Sequence, residues 1–373
     1  MAEEQVKFGA PLKIPGWVSY ALIPFVNLLA ALLISGIVIL IIGDNPLEAL
    51  KVLIYGAFGY PEAIGYSLYF STNFIFTGLA VAIAFHCGLF NIGAEGQAAL
   101  GGIGVSLVCL YMDWLPLWLI IPLAMIAAAI FGAAWAYIPA YLQAKRGSHI
   151  VITTIMFNFI AASILTYLLV EVLIDPNGQS PESRHFIETT WLPYFHDFIA
   201  MPSTPLNVSF IYALVLSAGF YFLVWHTRWG YEIRVVGQNE TAARYAGISP
   251  SKNIILAMMI SGALAGFVGI NELQGVQHRL ILDFTGGYGF VGFAVALMGR
   301  YHPIGIFLAA LLFGALYQGG SELAFEMKSI NKEMVIVIQG LIILFSGALE
   351  HMFRPKIEAA YRRFAPAQPM ETN

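Results

Sequence analysis

The chain is 373 residues long, 59% apolar and 11% charged, with a mean hydropathy of +0.75 and a formal charge of −4. Ordinary globular domains carry about 25% charged residues, so these proportions exclude a water-soluble enzyme, and the lack of a basic surplus excludes a nucleic-acid binder. Long uncharged runs in such a chain read as helices crossing lipid, so the expected fold is all-α and polytopic.

Crossing a hydrocarbon core of ~30 Å takes roughly 17–25 helical residues. About ten spans are predicted, in order Trp17–Gly43, Ala63–His86, Gly96–Met112, Leu115–Gln143, Ile150–Val170, Ser209–Thr227, Asn253–Gly269, Gly287–Gly299, Gly305–Phe325 and Met334–Leu349. The eighth and tenth are short. The first is far longer than a signal-peptide core and has no small-residue cleavage site after it, so it is read as a true span. Cys87 and Cys109 lie in or beside spans and read as packing residues, not as a disulfide or zinc pair.

Charge sets the orientation. With the N-terminus inside, 13 of the 18 Lys and Arg residues face the cytoplasm, and only Lys51, Arg184, Arg279, Lys328 and Lys332 lie outside, as the positive-inside rule requires. Residues 1–16 then form a cytoplasmic segment, 17–351 the transmembrane domain and 352–373 a cytoplasmic tail.

Two polar stretches exceed simple connectors. The outer one, 175–208, mixes five prolines with Trp191, Tyr194 and Phe195; it suits a partly ordered segment at the membrane surface, either an aromatic anchor or a docking surface. The inner one, 228–252, reads as a short helix–turn–helix. Asn239 is a good N-cap, Glu240 sits where the helix dipole favours an anion, and Gly247 supplies a left-handed stop. Ser249 and Pro250 form a second N-cap and N1 pair. The helix Glu240–Ala246 is too short to be stable alone, so it packs either on its own membrane domain or on a cytoplasmic partner. Gly262 with Gly266, Gly305 with Ala309 and Ala310 with Gly314 are spaced for close helix packing.

The sequence has no phosphate-binding loop, no HExxH and no GxSxG elbow, so neither a catalytic nor a metal site is expected. Ser148 beside His149 sits in a basic loop, the wrong place for an intramembrane hydrolase. What remains is polar groups within spans, which are expensive in lipid and mark paths or helix contacts: Asn91, Glu95 and Gln97; Asn73 and Asn158; and Asn271, Glu272, Gln274, Gln277 and His278. Uncharged donors beside aromatics suit a neutral, hydroxyl-rich or heterocyclic solute. From Ala63 to Met112 the sole formal charge is Glu95.

Four ordered stretches, "GLFNIGAEGQ", "ITTIMFNFIA", "RVVGQNETAARYAGIS" and "GYGFVGFAVALMGRYHPIGIFLAALLFGALYQGG", resemble the permeases of ABC importers in the branched-chain amino acid/ribose superfamily, nucleoside and simple-sugar branch. The resemblance spans roughly Pro46 to Phe353. It implies a type II ABC importer-like permease in a bacterial cytoplasmic membrane, forming half of a translocation pathway. The implied partners are an ATPase with two nucleotide-binding domains, a second and different permease chain, a solute-binding protein and membrane lipid; ATP-Mg would sit on the ATPase, with no cofactor in this chain. Gly237, Asn239, Glu240, Ala242, Ala243, Arg244 and Gly247 fall in the segment that contacts the ATPase in the family. Asn91, Glu95, Gln97, Asn158, Asn271 and Glu272 are candidates for the pathway, with the first three at a helix break. Ile150 stands where family members commonly carry Glu. The principal alternative is a secondary transporter driven by an ion gradient, with Glu95 and Glu272 as its carboxylates; a membrane enzyme and a passive channel fit less well.

Overall fold

In lipid a backbone must satisfy its own hydrogen bonds, and each long apolar run does so as a helix. A computed structural model describes residues 23–176, 178–199, 202–327, 329–330, 334–341 and 344. It divides into two units, Met1–Ala49 with Ser329–Asn373, and Leu50–Lys328. In the first, α1 (Ile23–Ile42) stops at Gly43, whose φ of +100° is left-handed. Asn45 Oδ1 then accepts the Leu47 N–H at 3.0 Å where α2 (Pro46–Phe58) begins. Of the predicted spans Trp17–Gly43 and Met334–Leu349, the parts before residue 23 and most of those beyond 341 lie outside the described residues, as do the segments 1–16 and 352–373. Helix α2 was not anticipated, because its thirteen residues hold Glu48 and Lys51 and are too short for a span.

The larger unit contains α3 (Pro61–His86), α4 (Ala94–Tyr111), α5 (Leu117–Arg146), α6 (Ile150–Tyr167), α7 (Ser209–His226), α8 (Arg228–Gln238), α9 (Glu240–Tyr245), α10 (Pro250–Gly266), α11 (Tyr288–Met298) and α12 (Pro303–Glu326). Wide-turn helical segments prolong α6 through Val172 and run from Ile270 to Gln277 after α10. Among the described residues, six helices are long and apolar enough to cross a membrane, or seven if Leu29–Ile42 and Pro46–Phe58 count as one. The chain is therefore a helical, multi-pass membrane protein.

Burial separates the centre from the rim. The most apolar stretch of α3 is 83% buried and that of α10 with its extension 72%, against 22% for α5, α6 and α7. The centre is held by glycines: a Cβ on Gly262 would lie 2.2 Å from the Gly132 carbonyl oxygen, and one on Gly266 2.3 Å from that of Ala128. The predicted GxxxG of α10 thus presses backbone to backbone on α5, and Gly101 of α4 meets Gly266 in the same way.

Helix α11 sets the depth of the site. Its 11 residues cover about 16 Å at ~1.5 Å per residue, half the hydrocarbon thickness. It runs beside the second half of α3: Tyr288 meets Phe74 edge-on, Gly292 abuts Thr77, and Tyr301 beyond its end stacks on Phe85. Phe74 lies midway along α3. The predicted span Gly287–Gly299 is therefore a half-span, reached by the irregular backbone 278–287.

The α5–α10 contact makes a direct prediction. Gly262→Val should be destabilised by about 1–3 kcal/mol or more through overpacking, read as a lowered melting temperature in detergent, whereas the open Gly219→Val should melt like the parent.

Candidate functional site

Between α3 and α4 the sequence GLFNIG cannot stay helical, and Gly88 takes a φ of +75°. The chain turns back along α3 instead. Asn91 fixes this return: its Oδ1 accepts the Gly93 N–H (2.9 Å) and Gln97 Nε2 (3.1 Å), and its Nδ2 donates to Gln97 Oε1 (2.9 Å) and Ser261 Oγ (2.8 Å). The Ser261 hydroxyl in turn donates to the Ala80 carbonyl inside α3. Asn158 ties α6 to the same break, with Oδ1 accepting the Gly96 N–H and Nδ2 donating to the Ile92 carbonyl, both at 2.9 Å. Asn91 and Gln97 are buried.

Glu95 meets the second irregular segment. Its Oε1 accepts the Gly287 N–H at 2.9 Å and its Oε2 the Gly289 N–H at 2.7 Å, and the Thr285 hydroxyl also bonds the carboxylate. These N–H groups belong to the orphaned first turn of α11, so Glu95 is a helix cap supplied from another helix, with an anion at the positive end of the dipole. The contact is close, since a Cβ on Gly289 would lie 2.2 Å from the Glu95 nitrogen. Two half-depth breaks, 87–93 and 278–287, thus meet at one carboxylate.

Beside that junction lies a cavity of about 230 Å³ between the first turns of α4, one face of α6 and the segment 282–285. Glu95, Asn158, Thr166, Asp283 and Thr285 supply its polar groups. Asp283 is exposed with a φ of +54°, a conformation Asp tolerates better than most residues.

Asn271 and Glu272 lie elsewhere, in the core between α3, α7 and α11. Glu272 Oε1 accepts from the Tyr69 hydroxyl and from Asn73 Nδ2, each at 2.6 Å, and Tyr288 also bonds the carboxylate. Asn271 Nδ2 donates to Asn73 Oδ1 (2.9 Å), while its Oδ1 accepts from Asn207 Nδ2 (3.0 Å) and Ser209 Oγ (2.7 Å). Both residues are buried. The six candidate pathway residues therefore fall into two groups: Asn91, Glu95, Gln97 and Asn158 at the breaks, and Asn271 with Glu272 in an internal network. Of the six, only Glu95 and Asn158 line the cavity.

The outer segment folds onto the end of the extended α10. Trp191 stacks on His278 with ring centroids 3.8 Å apart, the Tyr194 hydroxyl lies 2.9 Å from His278 Nε2, and Gln274 Nε2 donates to the Thr190 carbonyl at 2.9 Å. Arg279 pairs with Glu182 at 2.8 Å. Burial under this aromatic cover pushes the His278 imidazole down to about 4.

On the opposite side the coupling candidate is built as three pieces. Thr227 caps α8, its hydroxyl accepting the Gly230 N–H at 3.1 Å; α8 escaped prediction because this cap was not read as a helix start. Asn239 Oδ1 accepts the Ala242 N–H at 3.0 Å, as its N-cap role requires, and Arg244 lies 3.7 Å from Glu240. Helix α9 ends at Tyr245, one residue earlier than expected. Gly247, at φ +76°, then closes a Schellman turn in which Gly247 N–H bonds Arg244 O and Ile248 N–H bonds Ala243 O. Ser249 occupies the next N-cap position but its side chain makes no cap bond. Only Ala243 of α9 is buried, and Tyr245 stands 91% exposed. Gly237, at the end of α8, presses on the break: a Cβ there would lie 2.2 Å from the His86 carbonyl oxygen and 2.8 Å from the Gly88 nitrogen. Among the described residues no group of His, Cys, Asp and Glu converges as a metal site.

The chain is similar to known proteins. A family model described as the branched-chain amino acid transport system / permease component matches residues 63–347. The chain is 34% identical to the glucose ABC transporter permease protein of Haloferax volcanii, over 94% of this chain and 93% of that one. It is 35% identical to the guanosine ABC transporter permease protein of Bacillus subtilis, over 88% and 93%. It is also 34% identical to the nucleoside ABC transporter permease protein of Lactococcus lactis, over 87% and 90%.

Two outcomes follow from the site. Replacing Glu95 with Ala strands the first-turn N–H groups of α11 and should destabilise by about 1–3 kcal/mol, while Glu95→Gln keeps one acceptor and should cost about half that; the order is read from melting temperatures. For His278, the folded imidazole resists a proton that the unfolded chain accepts below its ordinary value of about 6.5. Its contribution is present above that pH and lost as pH falls towards about 4. Between pH 7 and pH 5 the melting temperature should drop further for the parent than for His278→Asn, which keeps the left-handed backbone accessible.

Proposed function

The chain belongs to the family of branched-chain amino acid transport system permease components, and we propose that it is the membrane half-pathway of an ATP-driven importer for a nucleoside or a simple sugar. A second, different permease chain completes the pathway, a solute-binding protein delivers solute to the outer face, and an ATPase with two nucleotide-binding domains hydrolyses ATP-Mg on the inner face. The chain sits in the cytoplasmic membrane with about ten crossings, one of them made by the irregular segment 278–287 together with the half-span α11, and with both termini cytoplasmic. Residues 175–208 form the outer docking segment and 228–252 the coupling loop. The solute class is supported by the glucose, guanosine and nucleoside permeases at 34–35% identity.

One observation carries the mechanism: Gly237 of the coupling loop lies directly on the Cys87–Gly88 turn of the α3–α4 break. A push on α9 passes through α8 to that turn. From there Asn91 leads to Ser261 of α10, and Glu95 to the start of α11. Helix α9 offers the ATPase an exposed Tyr245 and Arg244 while its own anchor, Ala243, keeps it seated. Asn91, Gln97, Asn271 and Glu272 act as framework that holds the breaks, and Glu95 with Asn158 lines the route.

The test uses the assembled importer in proteoliposomes. Arg244→Ala removes an exposed side chain and should leave the amount of assembled permease unchanged, whereas Gly247→Val strains the left-handed turn and shifts the seating of α9. Each should lower stimulation of ATP hydrolysis by loaded binding protein about tenfold, the loss expected when an interface anchor is removed. Normal stimulation and uptake in both variants would overturn the coupling role.

A further inference from the structure

The cavity beside Glu95 holds more polar groups than the break needs. Asn158 spends its amide on Ile92 and Gly96, and Glu95 spends two oxygen positions on α11, yet Asp283 and Thr166 remain exposed at its mouth. Asp283 lies in the irregular segment between the end of the extended α10 at Gln277 and Gly287 at the start of α11, the segment that leads into the half-span. A charge there cannot face hydrocarbon, and irregular backbone within a membrane is tolerated where it lines a water-filled path. The opposite wall is apolar: Ala99, Ala162 and Leu165.

We infer that this cavity is a solute subsite that takes a polyhydroxylated ring, either a free sugar or the ribose of a nucleoside. The inference rests on the importer reading. Ring hydroxyls donate to the Asp283 carboxylate and to the outer lone pairs of Glu95, the Thr166 and Thr285 oxygens, whose own protons go to the Ala162 carbonyl and to Glu95, accept from them, and the C–H face of the ring lies on Leu165 and the two alanines. A volume of about 230 Å³ holds one such ring with a substituent. No Lys, Arg or His among its lining residues would attract an anionic solute.

Two measurements on the assembled importer decide the matter. Cys87 and Cys109 are both buried, so Thr166→Cys introduces the accessible thiol of this chain's described residues. A small charged methanethiosulfonate should label it, and millimolar D-ribose, D-glucose or uridine should slow labelling, whereas leucine and hypoxanthine should not. Slowing by uridine alone places the ring in a nucleoside, and slowing by ribose or glucose alone places it in a free sugar. Absence of labelling, labelling that no compound slows, or protection by leucine or hypoxanthine overturns the subsite. Asp283→Asn, which keeps the left-handed backbone, should raise the KM for uptake about tenfold or more through loss of a charge-assisted bond, with ATPase stimulation by loaded binding protein unchanged. Unchanged uptake overturns the subsite and leaves the importer reading standing. Loss of stimulation together with uptake gives Asp283 a structural role and also overturns it.

Discussion

Backbone that leaves a helix inside a membrane must find every hydrogen bond within the protein, and among the described residues two such departures solve the problem for each other. The α3–α4 break approaches mid-depth from one side and 278–287 from the other. Glu95, at the start of α4, closes the N–H groups of α11, while Asn91 and Asn158 close the polar groups of residues 91–97. Without Glu95 the half-helix α11 would begin with unsatisfied donors in a low-dielectric interior. The carboxylate that stands alone in fifty residues of apolar sequence is the piece that lets a half-span exist.

The same contact defines what can be rigid and what can move. Helices α4, α5 and α10 meet through glycines at distances that exclude any side chain, so they move together. Helix α6 packs on the start of α4 through Thr154, Asn158 and Ala161. The polar cavity opens between α6, the start of α4 and the segment 282–285.

Much of this was legible in the residues. Glycine spacing announced that α10 packs closely on a neighbour, though not that the neighbour is α5, Asn239 and Gly247 announced both ends of α9, and the isolated Glu95 announced a special position. Other features were not legible, for physical reasons. Helix α11 looks like a short span in hydropathy because apolar residues are needed equally by a half-span packed on α3. The two groups of polar residues look alike in sequence, since an asparagine bonded to a serine on another helix and one lining a cavity differ only in their neighbours. Asp283 and Thr166 were passed over because they become informative only when α6 and the 282–285 segment are brought side by side. The amphipathic α8 was missed for a smaller reason: a threonine cap before Trp-Gly is a weak start signal, and the helix owes its stability to Ile233 and Val236 against the bundle.

The seating of Gly237 on Gly88 has a mechanical corollary. A contact made through long side chains has slack, because rotamers can absorb a displacement of an ångström before anything beyond them responds. Here two main chains touch with no side chain between them, and left-handed Gly88 leaves the turn no Cβ to act as a cushion. Such a joint behaves like a gear without backlash: whatever rotates α8 displaces the turn from the first fraction of its travel.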